Sequence, residues 1–220
     1  TEVKRLLIES GTIQGVELKN GKKLYADAVI LACGGMSYQT TGSNGDGYRL
    51  AMQAGHEIVP CKPALVPFEI KEDWCKDLQG LSLKNVQATV TSDGKKIYQD
   101  FGEMLFTHFG VSGPTVLSAS AHLKGEGCRL VLDLKPALDE NKLNDRILRD
   151  LETYKNRSME NALTDLLPRS MIPVVLRRCD IDPVMQANSL RKEQRRALTQ
   201  CLKSFEMVIA GKRPVEEAII

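Results

Sequence analysis

The sequence predicts an α+β fold made of more than one part, and three features of its texture carry that prediction. Residues 2–32 alternate short apolar runs with Gly-containing turns, and strand-like segments broken by turn residues run from 61 to 135. From Pro136 onward the apolar residues fall instead at helical spacing. A chain of 220 residues, 42% of them hydrophobic, can bury an ordinary core as one large domain or two smaller ones.

Taken in order, VKRLLIE, TIQGVEL and the turn KNGKK predict a three-strand meander. Ala28 to Cys33 is continuously apolar, as a strand covered on both faces would be, and it stops at Gly34-Gly35. Gly45 to Ala54 then carries Leu50, Ala51 and Ala54 at helical spacing, with Gly55 placed to end the helix. EIVP at 57–60 predicts a further strand.

The segments LVPFEI, NVQATVTSDGKKIYQD and CRLVLDLKP predict a small antiparallel barrel or sandwich, with a hairpin at SDGKK. KEDWCKDLQG reads as a short loop or helix. Beyond Pro136, Leu143, Ile147 and Leu151 recur every fourth residue, Ser158 can cap the run that follows it, and Ser189 to Phe205 places Leu190, Ala197, Leu198, Cys201 and Leu202 on a helix. These segments predict a helical bundle. The last stretch, FEMVIAGKRPVEEAII, returns to strand character.

Charge narrows the partners. A net charge of +2 with 26% charged residues shows no global bias, so neither nucleic acid nor a membrane surface is expected as a partner. The local run RKEQRR at 191–196 reads as a solvated helix face. Six cysteines lie without a C-x-x-C pair and without metal-like spacing to the three histidines, which predicts reduced thiols, a cytoplasmic location and no metal site. No apolar run reaches the length of a membrane span.

Two stretches carry candidate chemistry. In TTGSNGDGYRL, Gly42, Gly45 and Gly47 give the order G-x-x-G-x-G, not the G-x-G-x-x-G of a dinucleotide-binding turn. Asp46, where the helix should begin, would cap it and repel a phosphate there, so the loop suits a ligand's hydroxyls or neutral ring atoms. On the residues alone, Gly34-Gly35 is more simply a strand-to-loop turn. In GEMLFTHFGVSGP, Glu103, Thr107, His108 and Ser112 can face a substrate pocket, with histidine suited to proton transfer near neutral pH. The alternative is structural, with Phe101, Leu105, Phe106 and Phe109 as core and Gly110, Gly113 and Pro114 as turns.

The segments ADAVILACGGMSYQTTGSNGDGYRLAMQAG, PALVPFE, LQGLSLKNV and above all GEMLFTHFGVSGPTVLSAS resemble a flavoprotein family, the NAD(P)/FAD-dependent oxidoreductases of HI0933-like type. Some of its members are called aminoacetone oxidases and one a bile-acid reductase. The resemblance covers essentially the whole chain, although Cys33 stands where the family usually has threonine. It implies a partial FAD-binding, Rossmann-like segment at 1–60, a β-barrel insert at 61–135, a helical subdomain at 136–204 and a strand at 205–220 returning to the FAD domain. It also implies that the chain is the central part of such a protein, inactive alone.

On the same resemblance, Ala32, Cys33, Gly34, Gly35, Gly42, Asp46 and Gly47 lie along FAD, with Asp46 near its polyol. His108 and Thr107 would offer polar contacts or a proton to a small-molecule substrate, and NAD(P)H would serve as electron donor. Two other readings stand beside this one: a non-enzymatic interaction module, and a fumarate-reductase-like flavin dehydrogenase, which would need an arginine-histidine pair for a dicarboxylate.

Overall fold

A computed structural model describes residues 1–219 other than 124 and 126. The chain forms two compact units, Thr1–Lys62 with Pro214–Ile220, and Pro63–Arg213.

In the first unit, β1 (Val3–Glu9), β2 (Thr12–Leu18) and β3 (Lys23–Tyr25) form the expected antiparallel meander in the order β1-β2-β3. Helix α1 (Asp46–Gln53) lies along β1. The Gln53 amide stands in for a neighbouring strand there, accepting from the Leu6 N–H at 2.9 Å and donating to the Leu6 carbonyl at 2.9 Å. Both backbone groups of a strand edge are thereby satisfied. Arg49 adds bonds to the Lys4 and Val3 carbonyls.

Glu17 on β2 is almost fully buried and accepts from Arg5 Nε and Nη2 and from Lys4 Nζ. Those bonds hold its carboxyl below the ordinary value of 4.5. Because the folded value is depressed, the stability it confers is complete above the unfolded value and is lost as pH falls through the folded one. Glu17→Gln is therefore expected to flatten the acid dependence of amide protection at Leu6 and Leu18, and an unchanged pH profile would show that the pairing adds nothing.

Two predicted strands are not formed. Ala28–Cys33 is irregular and mostly exposed, with Ile30 89% accessible, and residues 57–60 are irregular as well, with Val59 81% accessible. Apolarity marks a strand for burial, but a strand exists only through the ladder of a neighbour. Among the described residues no strand pairs with either segment.

The second unit is built on a closed barrel of β4 (Phe68–Ile70), β5 (Ser82–Ser92), β6 (Lys95–Phe106), β7 (Gly110–Ser112), β8 (Arg129–Asp133) and β9 (Phe205–Lys212), ordered β4-β7-β6-β5-β8-β9. The SDGKK hairpin is present, its tip formed by Asp93 and Gly94 with φ of 50° and 73°, the positive angles that a two-residue turn between twisted strands needs. Alternation sets the interior: Val86, Ala88 and Val90 from β5, Leu130 and Leu132 from β8, and Phe205, Met207 and Ile209 from β9 are all buried.

Residues 205–220 were expected as a strand returning to the first unit, and Pro214–Ile220 do join that unit, but β9 does not. Instead it pairs with β8 and with β4 and closes the barrel, because its alternating apolar residues are buried only there. KEDWCKDLQG folds as a 3-10 helix, Asp73–Leu78, with Cys75 and Leu78 buried.

Helix α2 (Pro114–Ser120) follows β7 and opens on its proline. Between β8 and β9 come α3 (Glu140–Thr153), α4 (Met159–Ala162), α5 (Met171–Arg178) and α6 (Lys192–Lys203). Asp139 caps α3 by accepting from the Lys142 N–H at 2.8 Å. Ser158 precedes α4 but makes no side-chain cap bond to it, and its hydroxyl accepts from the Asn161 amide instead. Leu143, Ile147, Val175, Leu198 and Leu202 join the barrel interior in one hydrophobic cluster. The boundary read at 135/136 therefore separates two textures of sequence and not two cores.

Candidate functional site

The first unit brings together most of the residues that the resemblance places along a cofactor. The loop before α1 folds back on the Gly34-Gly35 backbone: the Gly45 N–H donates to the Gly35 carbonyl at 3.1 Å, and a Cβ on Gly47 would sit 3.5 Å from that of Cys33. Gly34 has φ +71°, and a Cβ there would come within 2.8 Å of Ser43 Oγ. The positive φ favours glycine, while the Ser43 hydroxyl could turn aside for a Cβ. Ala32, Cys33 and Gly34 are exposed, so a stretch of main chain lies open to close approach. Gly42 ends the 3-10 turn Gln39–Thr41, donating to the Gln39 carbonyl at 3.0 Å.

Asp46 does not cap α1. The N-cap is Gly45, and Asp46 is the first helical residue. Its own N–H donates to Asn44 Oδ1 at 3.1 Å, while its carboxylate accepts from Arg49 Nε at 3.0 Å and from Asn44 Nδ2 at 3.2 Å. The Arg49 bond, helped by Asn44, holds the carboxyl below its ordinary range. A carboxylate has about four lone-pair sites, so capacity remains for a ligand hydroxyl.

The second unit places Thr107 and His108 on the tight turn between β6 and β7. The Thr107 N–H donates to the Gly110 carbonyl at 2.8 Å, and Thr107 Oγ1 accepts from the Gly110 N–H at 3.1 Å. That hydroxyl shapes the turn. His108 is exposed, its ring edge-on to Phe109 at 4.9 Å, and the Arg213 guanidinium lies 4.7 Å from the Phe109 ring. Phe106 is fully buried, as a core residue should be, whereas Phe101 is 58% exposed. The four aromatic and leucine positions are thus not one apolar wall, because β6 turns Phe106 inward and leaves Phe101 on the outside.

A cleft beside Phe101 escaped the sequence reading. It is an open cleft of about 560 Å³, lined by Asn85, Gln87, Phe101, Lys135, Pro136 and Leu138, among others. A more polar cleft of about 610 Å³ runs between α3 and α6, with Lys192, Arg195 and Arg196 on its wall and Arg195 Nε bonded to Asn144 Oδ1 at 3.0 Å. The one available signal for the first was a lone lysine inside the apolar loop Leu134–Leu138. Among the described residues no cluster of three or more His, Cys, Asp or Glu is placed to hold a metal ion, and no helix is long and apolar enough to cross a membrane.

The family described as HI0933-like protein barrel and H2TH domain matches residues 62–220. A 3-dehydro-bile acid delta(4,6)-reductase of Clostridium scindens is 29% identical over 205 residues, 90% of this chain and 50% of that protein. Ribosomal RNA dihydrouridine synthases of Escherichia coli and Haemophilus influenzae are 30% and 29% identical over 70% and 73% of this chain, and 37% and 38% of their own length. The chain thus spans half or less of the curated relatives it matches.

Proposed function

Since the chain belongs to the HI0933-like family, with its barrel and H2TH domain at residues 62–220, we propose that the whole protein is an FAD-dependent oxidoreductase. It moves a hydride between the flavin and a small organic substrate, with NAD(P)H as electron donor. The similarity to a protein named a reductase supports an oxidoreductase of flavoprotein type. The dihydrouridine synthases agree in kind, since a dihydro product is one to which hydrogen has been added. Cys33, Cys61, Cys75, Cys179 and Cys201 are free thiols, which suits the reducing cytoplasm.

One observation carries the cofactor: the exposed Gly34 backbone and the loop folded against it form a surface that side chains would obstruct. That surface fits a flat or extended neutral part of FAD. Ala32, Cys33, Gly34, Gly35, Gly42 and Gly47 would hold it through main chain, and Asp46 would accept from a polyol hydroxyl. Bound there, FAD supplies the hydride chemistry; the chain's part is to bind, orient and exclude water. Thr107 holds the turn, and His108, exposed beside it, would donate or accept a proton.

A visible spectrum of the purified whole protein is expected to show a flavin that is released as FAD on denaturation, and a colourless protein that takes up no added FAD overturns the reading. In the coloured protein, His108→Gln should lower turnover about tenfold or more at unchanged flavin content; unaltered turnover removes His108 from the chemistry. A second reading keeps the flavin but makes a uridine in RNA the substrate, on the strength of the dihydrouridine synthase relatives and the cationic wall between α3 and α6. Reoxidation of the NADPH-reduced flavin by RNA, and not by a small unsaturated ketone, would favour it.

A further inference from the structure

We propose that the cleft beside Lys135 is a binding site for a small molecule with an apolar body and a single anionic group. Lys135 stands between β8 and α3, in a loop that is held at every turn. Its N–H donates to Asp133 Oδ1 at 2.9 Å, its carbonyl accepts from the Leu138 N–H at 3.0 Å, and the Leu134 N–H donates to the Leu202 carbonyl at 2.9 Å. Lys203 Nζ reaches the Lys135 and Leu138 carbonyls at 3.3 and 2.6 Å. The loop is therefore pre-organised before any ligand arrives, which lowers the entropic cost of binding.

The Lys135 side chain is half-buried and borders two clefts, the one of about 560 Å³ with Phe101 and a smaller one of about 170 Å³ with Leu83, Leu167 and Met171. Among the described residues no carboxylate pairs with its ammonium group; the Asp133 carboxylate is taken by Lys203 at 2.5 Å. Arg146 adds a second positive charge to its surroundings and is itself committed to Asp150 at 2.9 Å. Burial first, and Arg146 second, push the Lys135 pKa down. An ammonium group taken partly out of water without a counter-ion is costly, and an anion in the cleft removes that cost.

The rest of the lining sets the ligand's body. Phe101 presents an aromatic face that the barrel leaves 58% exposed, and Pro136, Ala137 and Leu138 form an apolar floor. Asn85 and Gln87 supply neutral amides that can orient polar substituents. The volume lies within the several hundred Å³ usual for small-ligand sites. One unpaired cation on an otherwise uncharged wall selects one negative charge, not several, and excludes a polyphosphate.

The test uses 2-naphthoate and its neutral counterpart 2-naphthamide, titrated into the full chain by calorimetry without flavin, so that it stands or falls apart from the oxidoreductase reading. The carboxylate is expected to bind about tenfold more tightly than the amide, the low end of what a hydrogen bond to a charged group contributes. Lys135→Met should bring the two within about twofold of each other by weakening the carboxylate only, and Phe101→Ala should weaken both. If Lys135→Met does not reproduce the wild-type melting curve, Lys135→Gln replaces it in the same comparison. Equal affinity for the two probes, unchanged carboxylate binding without the lysine, or no heat from either probe at millimolar concentration overturns the proposal.

Discussion

Replacing Lys203 with methionine is expected to lower the stability of the second unit by about 3 kcal/mol, toward the low end of the cost of breaking a buried ion pair. Lys203 and Asp133 leave only 15% of each side chain accessible and meet at 2.5 Å, and the same ammonium group also donates to the Lys135 and Leu138 carbonyls. Methionine keeps the stem and removes the charge. The Asp133 carboxylate would then retain only the Lys135 N–H, and two carbonyls would lose a donor. Most of the loss comes from these stranded groups and not from the attraction itself, so adding Asp133→Leu to Lys203→Met should recover part of it. Urea denaturation of the wild type and the two variants measures both effects; a single-variant loss under about 1 kcal/mol would show that water screens the pair as it does at a surface.

Gly110→Ala should cost about as much, roughly 3 kcal/mol, for a different reason. Gly110 has φ +154°, and a Cβ on it would come within 2.4 Å of the Phe68 carbonyl oxygen and 2.8 Å of the Ile70 nitrogen. Both obstacles are backbone, so relief requires β4 and β7 to part. Those strands are only three residues each and meet through Phe68↔Val111 and Glu69↔Gly110. The Thr107 bonds that shape the turn would be lost with them. Gly211→Ala is the control, since a Cβ there meets nothing within 4 Å, and its midpoint should move by no more than about 0.5 kcal/mol. Similar losses for the two would refute the steric account.

What the sequence made legible was local. The meander, the Asp93-Gly94 hairpin and the four-residue spacing of Leu143, Ile147 and Leu151 each depend on residues close in the chain, and each is found. What it hid depended on distant partners. Ala28–Cys33 has the composition of a buried strand, but no strand among those described lies beside it. β9 has plain strand alternation, yet nothing in its residues says that β4 and β8 are its neighbours.

The candidate site divides along the same line. Gly34 could be named because its left-handed backbone favours that residue type, whereas the helix start was misjudged by one position: Gly45, not Asp46, caps α1. Lys135 stood in the sequence as a lone lysine among apolar residues, but its significance is a missing counter-charge, and only the folded loop shows that Asp133 is already occupied by Lys203.

The barrel's last strand is also the last to be made. During synthesis β4 and β8 emerge with unsatisfied edges, and the segment that will sit between them follows only after α3 to α6 have left the ribosome. Phe68 must wait for Lys212. Until then the nascent chain carries two open strand edges flanking an uncovered apolar interior, the condition in which chains pair with one another. Sequence-distant closure of this kind is slow, so the length of the helical insertion, and not the barrel itself, sets how long those edges stay open.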